Sequence, residues 1–178
     1  MTATIAWILM AVTTILGIIE PFNKSMVGIL IFNFAGNFLV AINYLIVGGS
    51  DAAVGTAICL VACVQVFINA YFAKKEKKVP VWLLVVYLVV FLAVNVLNYN
   101  AWFDLLALTA AVCYVFSISQ QKPKVYRILY CANSALWILY DFMAGVYQNL
   151  ATHIALTVFT LVSMYIYDKK EEKQQSDR

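Results

Sequence analysis

Charged residues divide this chain into long apolar runs. No charge precedes Glu20, and Lys24 to Asp51 and Asp51 to Lys74 each enclose a charge-free run. The dense cluster Lys74-Lys75-Glu76-Lys77-Lys78 is followed by two more such runs, Lys78 to Asp104 and Asp104 to Lys122. After Arg127 the chain stays apolar to Asp168, broken only by Asp141. That last stretch is about twice the 20 residues that one membrane-spanning helix needs. Gly145-Val146-Tyr147-Gln148-Asn149 supplies the turn within it. The runs are continuous rather than alternating, which excludes a membrane β-barrel. The pattern predicts seven transmembrane helices, over 5–20, 26–47, 52–73, 79–98, 102–119, 125–144 and 149–167. The first run lacks a basic start and a small-residue cleavage site, so it reads as a span and not as a signal peptide.

Composition narrows the class. Apolar residues make up 64% of the chain and charged residues 12%, against about 45–50% and 25% in soluble domains. So few charges cannot cover a soluble globule, and a soluble enzyme, a disordered chain and a nucleic-acid binder are excluded. The expected partner is the lipid bilayer. With seven spans, all twelve basic residues fall on connections to one side, whereas Asp51 and Asp104 face the other. The positive-inside rule then puts the N-terminus outside and the C-terminus in the cytoplasm. Residues 169–178 read as a solvated cytoplasmic extension of the seventh helix. Cys59 and Cys63 stand at i, i+4 with no His, Asp or Glu nearby in sequence, which favours packing over metal binding. No metal and no cofactor is expected.

The chain also repeats itself. Shifted by 96 residues, segments 37–78 and 133–174 match at 12 of 42 positions, including Asn37 with Asn133, Tyr44 with Tyr140 and Thr56 with Thr152. Residues 1–78 and 100–168 therefore form two three-helix units, joined by a linker helix within 79–99. A three-helix unit inverts on direct repetition, and one extra helix restores its orientation. The expected fold is an all-α integral membrane protein with two parallel three-helix bundles in a 3+1+3 plan. Parallel repeats are a transporter design, with the solute site near the midplane between the units. A duplicated structural or interaction bundle without a pathway is the alternative.

Asn133-Ser134-Ala135-Leu136-Trp137-Ile138-Leu139-Tyr140, followed by Gly145, resembles the second-helix signature of SWEET and SemiSWEET sugar transporters. The 3+1+3 plan and the outside N-terminus are also similar to that family, and they equally suit the wider PQ-loop superfamily with its vitamin transporters. Within it, the length and seven-helix pattern look most like the YgjV family of bacterial inner-membrane proteins. The resemblance implies a location in the bacterial inner membrane and alternating access for a small polar solute, sugar-like or vitamin-like. Families of this kind often assemble, which leaves a homo-oligomer open. The first unit departs from the signature, with Ala41 where the second has Trp137, and the PQ dipeptide is absent.

Polar groups at membrane depth supply the candidate site. Asn133, Trp137 and Tyr140 recur at i, i+4, i+7 and share one face of the sixth helix. Asn37, Ala41 and Tyr44 form the matching face of the second. Trp137 offers a flat apolar wall, Asn37 and Asn133 offer amides, and Tyr140 lies toward the outer gate. His153 is the sole histidine, and the resemblance implies a substrate-facing residue at about its position. Asp104 and Asp141 read as helix-end and interfacial carboxylates, and Trp7, Trp82 and Trp102 as interface anchors. No acid–base pair, ligand set or phosphate loop is recognisable, so the expectation is not an enzyme.

Overall fold

The computed structural model describes the backbone of residues 2–47, 52–97, 99, 102–144 and 147–176. Among these are seven α-helices and no strand: α1 (Thr2–Ile19), α2 (Met26–Val47), α3 (Ala52–Lys74), α4 (Val81–Leu97), α5 (Asp104–Ser117), α6 (Pro123–Ala144) and α7 (Tyr147–Ser176). Their bounds follow local chemistry. Pro21 cannot donate a backbone hydrogen bond, and α1 gives way to a single 3-10 turn, Glu20–Phe22. Ser25 caps α2 through its Oγ, which accepts from the Gly28 N–H at 3.1 Å. Pro123 opens α6 at the position where its missing N–H costs nothing.

The helix bounds lie within a few residues of the sequence reading. α5 begins at Asp104 and stops at Ser117, because Trp102–Phe103 and Ile118–Ser119 close into turns at its ends. α7 runs on through the charged tail to Ser176. The expected turn over 145–149 lies partly outside the described residues, and so do the side chains of Tyr44 and Asp141.

The bundle is apolar outside and polar within. Phe67 and Leu97 are 71% and 83% exposed, and Trp7, Trp82 and Trp102 also face outward. Gln65, Ser134, Thr160 and Ser163 are wholly buried. A soluble protein has the opposite pattern, whereas a lipid-facing surface requires this one. Among the described residues, three helical stretches, Thr4–Phe22, Met26–Asn43 and Leu150–Tyr167, are long and apolar enough to cross a bilayer, and Ile58–Lys74, Val81–Leu97 and Asp104–Ser117 are shorter apolar helices.

Packing is mostly sequential: α1 on α2, α2 on α3, α5 on α6 and α6 on α7. α4 lies mainly on α5, and α1 meets α7. One core unites the start of α2 with α3, the end of α5 and the start of α6, through Met26, Ile29, Val66, Ile118 and Tyr126. A second joins α3, α4 and α5 through Ala62, Tyr87, Phe91 and Val115. The connections that carry the basic residues gather at the first core's end of the bundle. There Gln121 Nε2 donates to the Glu76 carbonyl at 3.0 Å, and Lys24 lies over the Tyr167 ring.

Candidate functional site: a polar cavity inside the bundle

All seven helices contribute to one interior cavity of about 230 Å3. Along α1, Met10, Thr13 and Gly17 line it at helical spacing, and Glu20 follows in the 3-10 turn. Ten residues of helix rise by about 15 Å, so the cavity is a channel-like pocket running along the bundle.

Its polar end is a hydrogen-bonded chain. Asn33 Nδ2 donates to Glu20 Oε1 at 3.0 Å, and Tyr126 donates its hydroxyl hydrogen to the same oxygen. The Tyr114 hydroxyl donates to Asn33 Oδ1 at 2.7 Å. Asn37 Nδ2 lies 3.0 Å from the Tyr114 hydroxyl and 2.9 Å from both Asn33 Oδ1 and the Asn33 carbonyl. The chain thus ties the 3-10 turn and α2 to α5 and α6. At membrane depth such groups need partners inside the protein, and here they supply one another.

The other end is aromatic. The rings of Trp137 and His153 stack with centroids 5.8 Å apart and planes 13° apart. Thr152 lines the wall beside them and lies 3.4 Å, hydroxyl to hydroxyl, from Thr14 of α1. Between the two ends, buried Asn133 carries an Oδ1 without a hydrogen-bond partner. An unpaired buried acceptor costs about 1–3 kcal/mol.

Asn37, Asn133, Trp137 and His153 therefore line a single space. Tyr140 does not line it: its ring packs edge-on against Trp137 at 5.3 Å and against Phe103 at 5.8 Å. Ala41, placed by sequence on the face of Asn37, is buried against protein, and Val40 lines the cavity on α2 instead. Cys59 also lines it, while Cys63 sits 3.8 Å from the Phe34 carbonyl.

Sequence reasoning missed Glu20 and Tyr114. Glu20 read as the end of a span, yet it is 3% exposed and bonded inside the bundle. The signal was a stripe of small and polar residues, Thr13, Gly17 and Glu20, at helical spacing on an otherwise apolar helix. Arg127 read only as a cytoplasmic charge, yet it is buried, and its Nε donates to the Pro21 carbonyl at 2.8 Å.

An all-helical bundle with an apolar exterior and a polar interior is the architecture of an integral membrane protein. The chain belongs to the Imp-YgjV family of bacterial inner membrane proteins, whose model matches residues 4–171. No curated protein and no solved structure matches the chain.

Proposed function

We propose that the protein carries a small polar solute across the bacterial inner membrane by alternating access. Two three-helix units, residues 1–78 and 100–168, rock against each other, and α4 links them in a SWEET-like 3+1+3 plan. The observation that carries this reading is the cavity lined by all seven helices, polar at one end, aromatic at the other, with the unpaired Asn133 Oδ1 between. A structural bundle has no use for such a cavity, because filling it with apolar side chains stabilises more. The sequential packing of α1–α3 and of α5–α7 supports the division into units. The contacts between units include α1 with α7, the Tyr114 bonds to Asn33 and Asn37, and the core shared by Met26, Val66, Ile118 and Tyr126, and rocking remakes contacts of this kind.

Gly36 gives a test that needs no known solute. It lines the cavity, and a Cβ added there meets nothing within 4 Å. Gly36→Cys, in a background free of the native cysteines, places a thiol in the cavity without a clash. A carrier exposes that thiol to membrane-impermeant maleimide from both sides in turn, so right-side-out and inverted vesicles both label. Labelling from neither side, or from one side only under every condition, overturns the reading in favour of a structural or interaction protein.

A further inference from the structure

We propose that the solute is a small organic cation, held by the carboxylate of Glu20 and by the aromatic side chains of the cavity. This rests on the transport reading and names its class of solute.

Glu20 lines the cavity, and its two hydrogen-bond donors, the Asn33 amide and the Tyr126 hydroxyl, are both neutral. No lysine or arginine is among the described residues that line the cavity. Two basic side chains of this end, Arg127 and Lys24, are engaged elsewhere. Arg127 donates its Nε to the Pro21 carbonyl and an NH2 group to the Asn23 carbonyl, and its guanidinium lies 5.3 Å from the Tyr167 ring centre. Lys24 lies over the same ring, at 5.6 Å from its centre. Among the described residues that line it, the cavity therefore presents the Glu20 carboxyl group and no lysine or arginine.

A carboxylate in low-dielectric surroundings is costly, and neutral donors offset that cost only in part. A cation in the cavity completes it. The remaining wall suits the same guest. Phe91, Tyr114, Tyr130 and Trp137 line the space, and aromatic rings attract cations through their electron-rich faces. An anion meets the Glu20 carboxyl group with no lysine or arginine among the described lining residues to compensate it. A neutral polyol finds amides at one end but largely apolar walls around its remaining hydroxyls. His153, stacked on Trp137, stands at the end away from the Glu20 chain, so the charged group of the guest points toward Glu20 and its apolar body toward the indole.

The test uses three near-isosteric probes, benzylammonium, benzyl alcohol and benzoate, titrated by calorimetry into the purified full-length protein in nanodiscs at neutral pH. Benzylammonium is expected to bind saturably and at least about tenfold more tightly than the other two. Glu20→Gln retains an oxygen for the Asn33 and Tyr126 hydrogens, so it keeps the fold and loses at least about tenfold in benzylammonium affinity. Gly36→Leu fills the cavity and abolishes binding. Benzoate binding as tightly as benzylammonium, no saturable benzylammonium binding, or unchanged affinity in Glu20→Gln each overturns the proposal. The two-sided labelling of Gly36→Cys does not depend on the solute. If labelling succeeds and cation binding fails, the protein carries another class of solute; if cation binding succeeds and labelling fails, the cavity is a cation site that does not alternate.

Discussion

Asn37 and Asn133 stand at equivalent positions of the internal repeat, yet their amides are in opposite situations. Asn37 Nδ2 has three oxygens within 3.0 Å, from Asn33 and Tyr114, whereas Asn133 Oδ1 has no partner. The duplicated asparagine is a structural tie in one unit and an unfilled acceptor in the other. Stability should separate them. Asn37→Ala breaks the bond from α2 to Tyr114 of α5, together with those to Asn33, and is expected to cost about 1–2 kcal/mol. Asn133→Ala removes an unsatisfied buried atom and should fall within about 0.5 kcal/mol of wild type. Thermal or denaturant unfolding in a fixed detergent measures both, and equal losses would contradict the difference in bonding.

The turn after α1 is clamped to the start of α6 by consecutive residues. Tyr126 bonds Glu20 and Arg127 bonds the carbonyls of Pro21 and Asn23, at 2.8 and 3.1 Å. Tyr126→Phe is expected to cost about 1 kcal/mol. Arg127→Ala leaves two carbonyls of the turn without these donors and should cost about 3 kcal/mol or more. Arg127→Lys should recover only part of that loss, because an ammonium lacks the planar fork that reaches both carbonyls. Full recovery by lysine would show that charge alone, and not the paired geometry, holds the turn.

Gly17 lets α1 approach α7. A Cβ there would lie 2.6 Å from Leu156 Cδ2, and Leu156 is itself buried at the cavity wall. Gly17→Ala therefore forces the leucine to turn toward the cavity, at an expected cost of about 1–2 kcal/mol. In a Leu156→Ala background the same change should cost about 1 kcal/mol less, since the clashing atoms are gone. Strict additivity in that double-mutant cycle would mean that the two helices do not meet as described.

The membrane architecture was legible in the sequence because charge is so scarce there that its gaps mark the helices. Pro21, Ser25 and Pro123 set helix ends through local chemistry that a sequence displays. The repeat, too, pointed to Asn37 and Asn133, and both line the cavity. What stayed hidden depended on side-chain direction across helices. Glu20 looks interfacial when position along one helix is all that is known, and only packing against Asn33 and Tyr126 turns it inward. Tyr140 shares a sequence face with Trp137, but Phe103, from the turn before α5, draws its ring away from the cavity. Tyr114 has no polar counterpart in the repeat, where Ile18 stands, so periodicity gave no reason to choose it.

Orientation in the membrane gives the last test. The connections bearing Lys24, Lys74–Lys78 and Lys122–Arg127 gather at the end of the bundle where Gln121 bonds Glu76 and Lys24 meets Tyr167. α7 leaves from that same end and continues as helix to Ser176 with its own lysines. Anionic lipid and the insertion machinery both retain such residues in the cytoplasm. A C-terminal alkaline phosphatase fusion should therefore be inactive, and a C-terminal fluorescent protein should be bright. Phosphatase joined after residue 49, beyond α2, should be active, because that connection carries Asp51 and no basic residue. The reverse pattern at both positions would invert the protein in the membrane, and with it the side from which the Glu20 end of the cavity is approached.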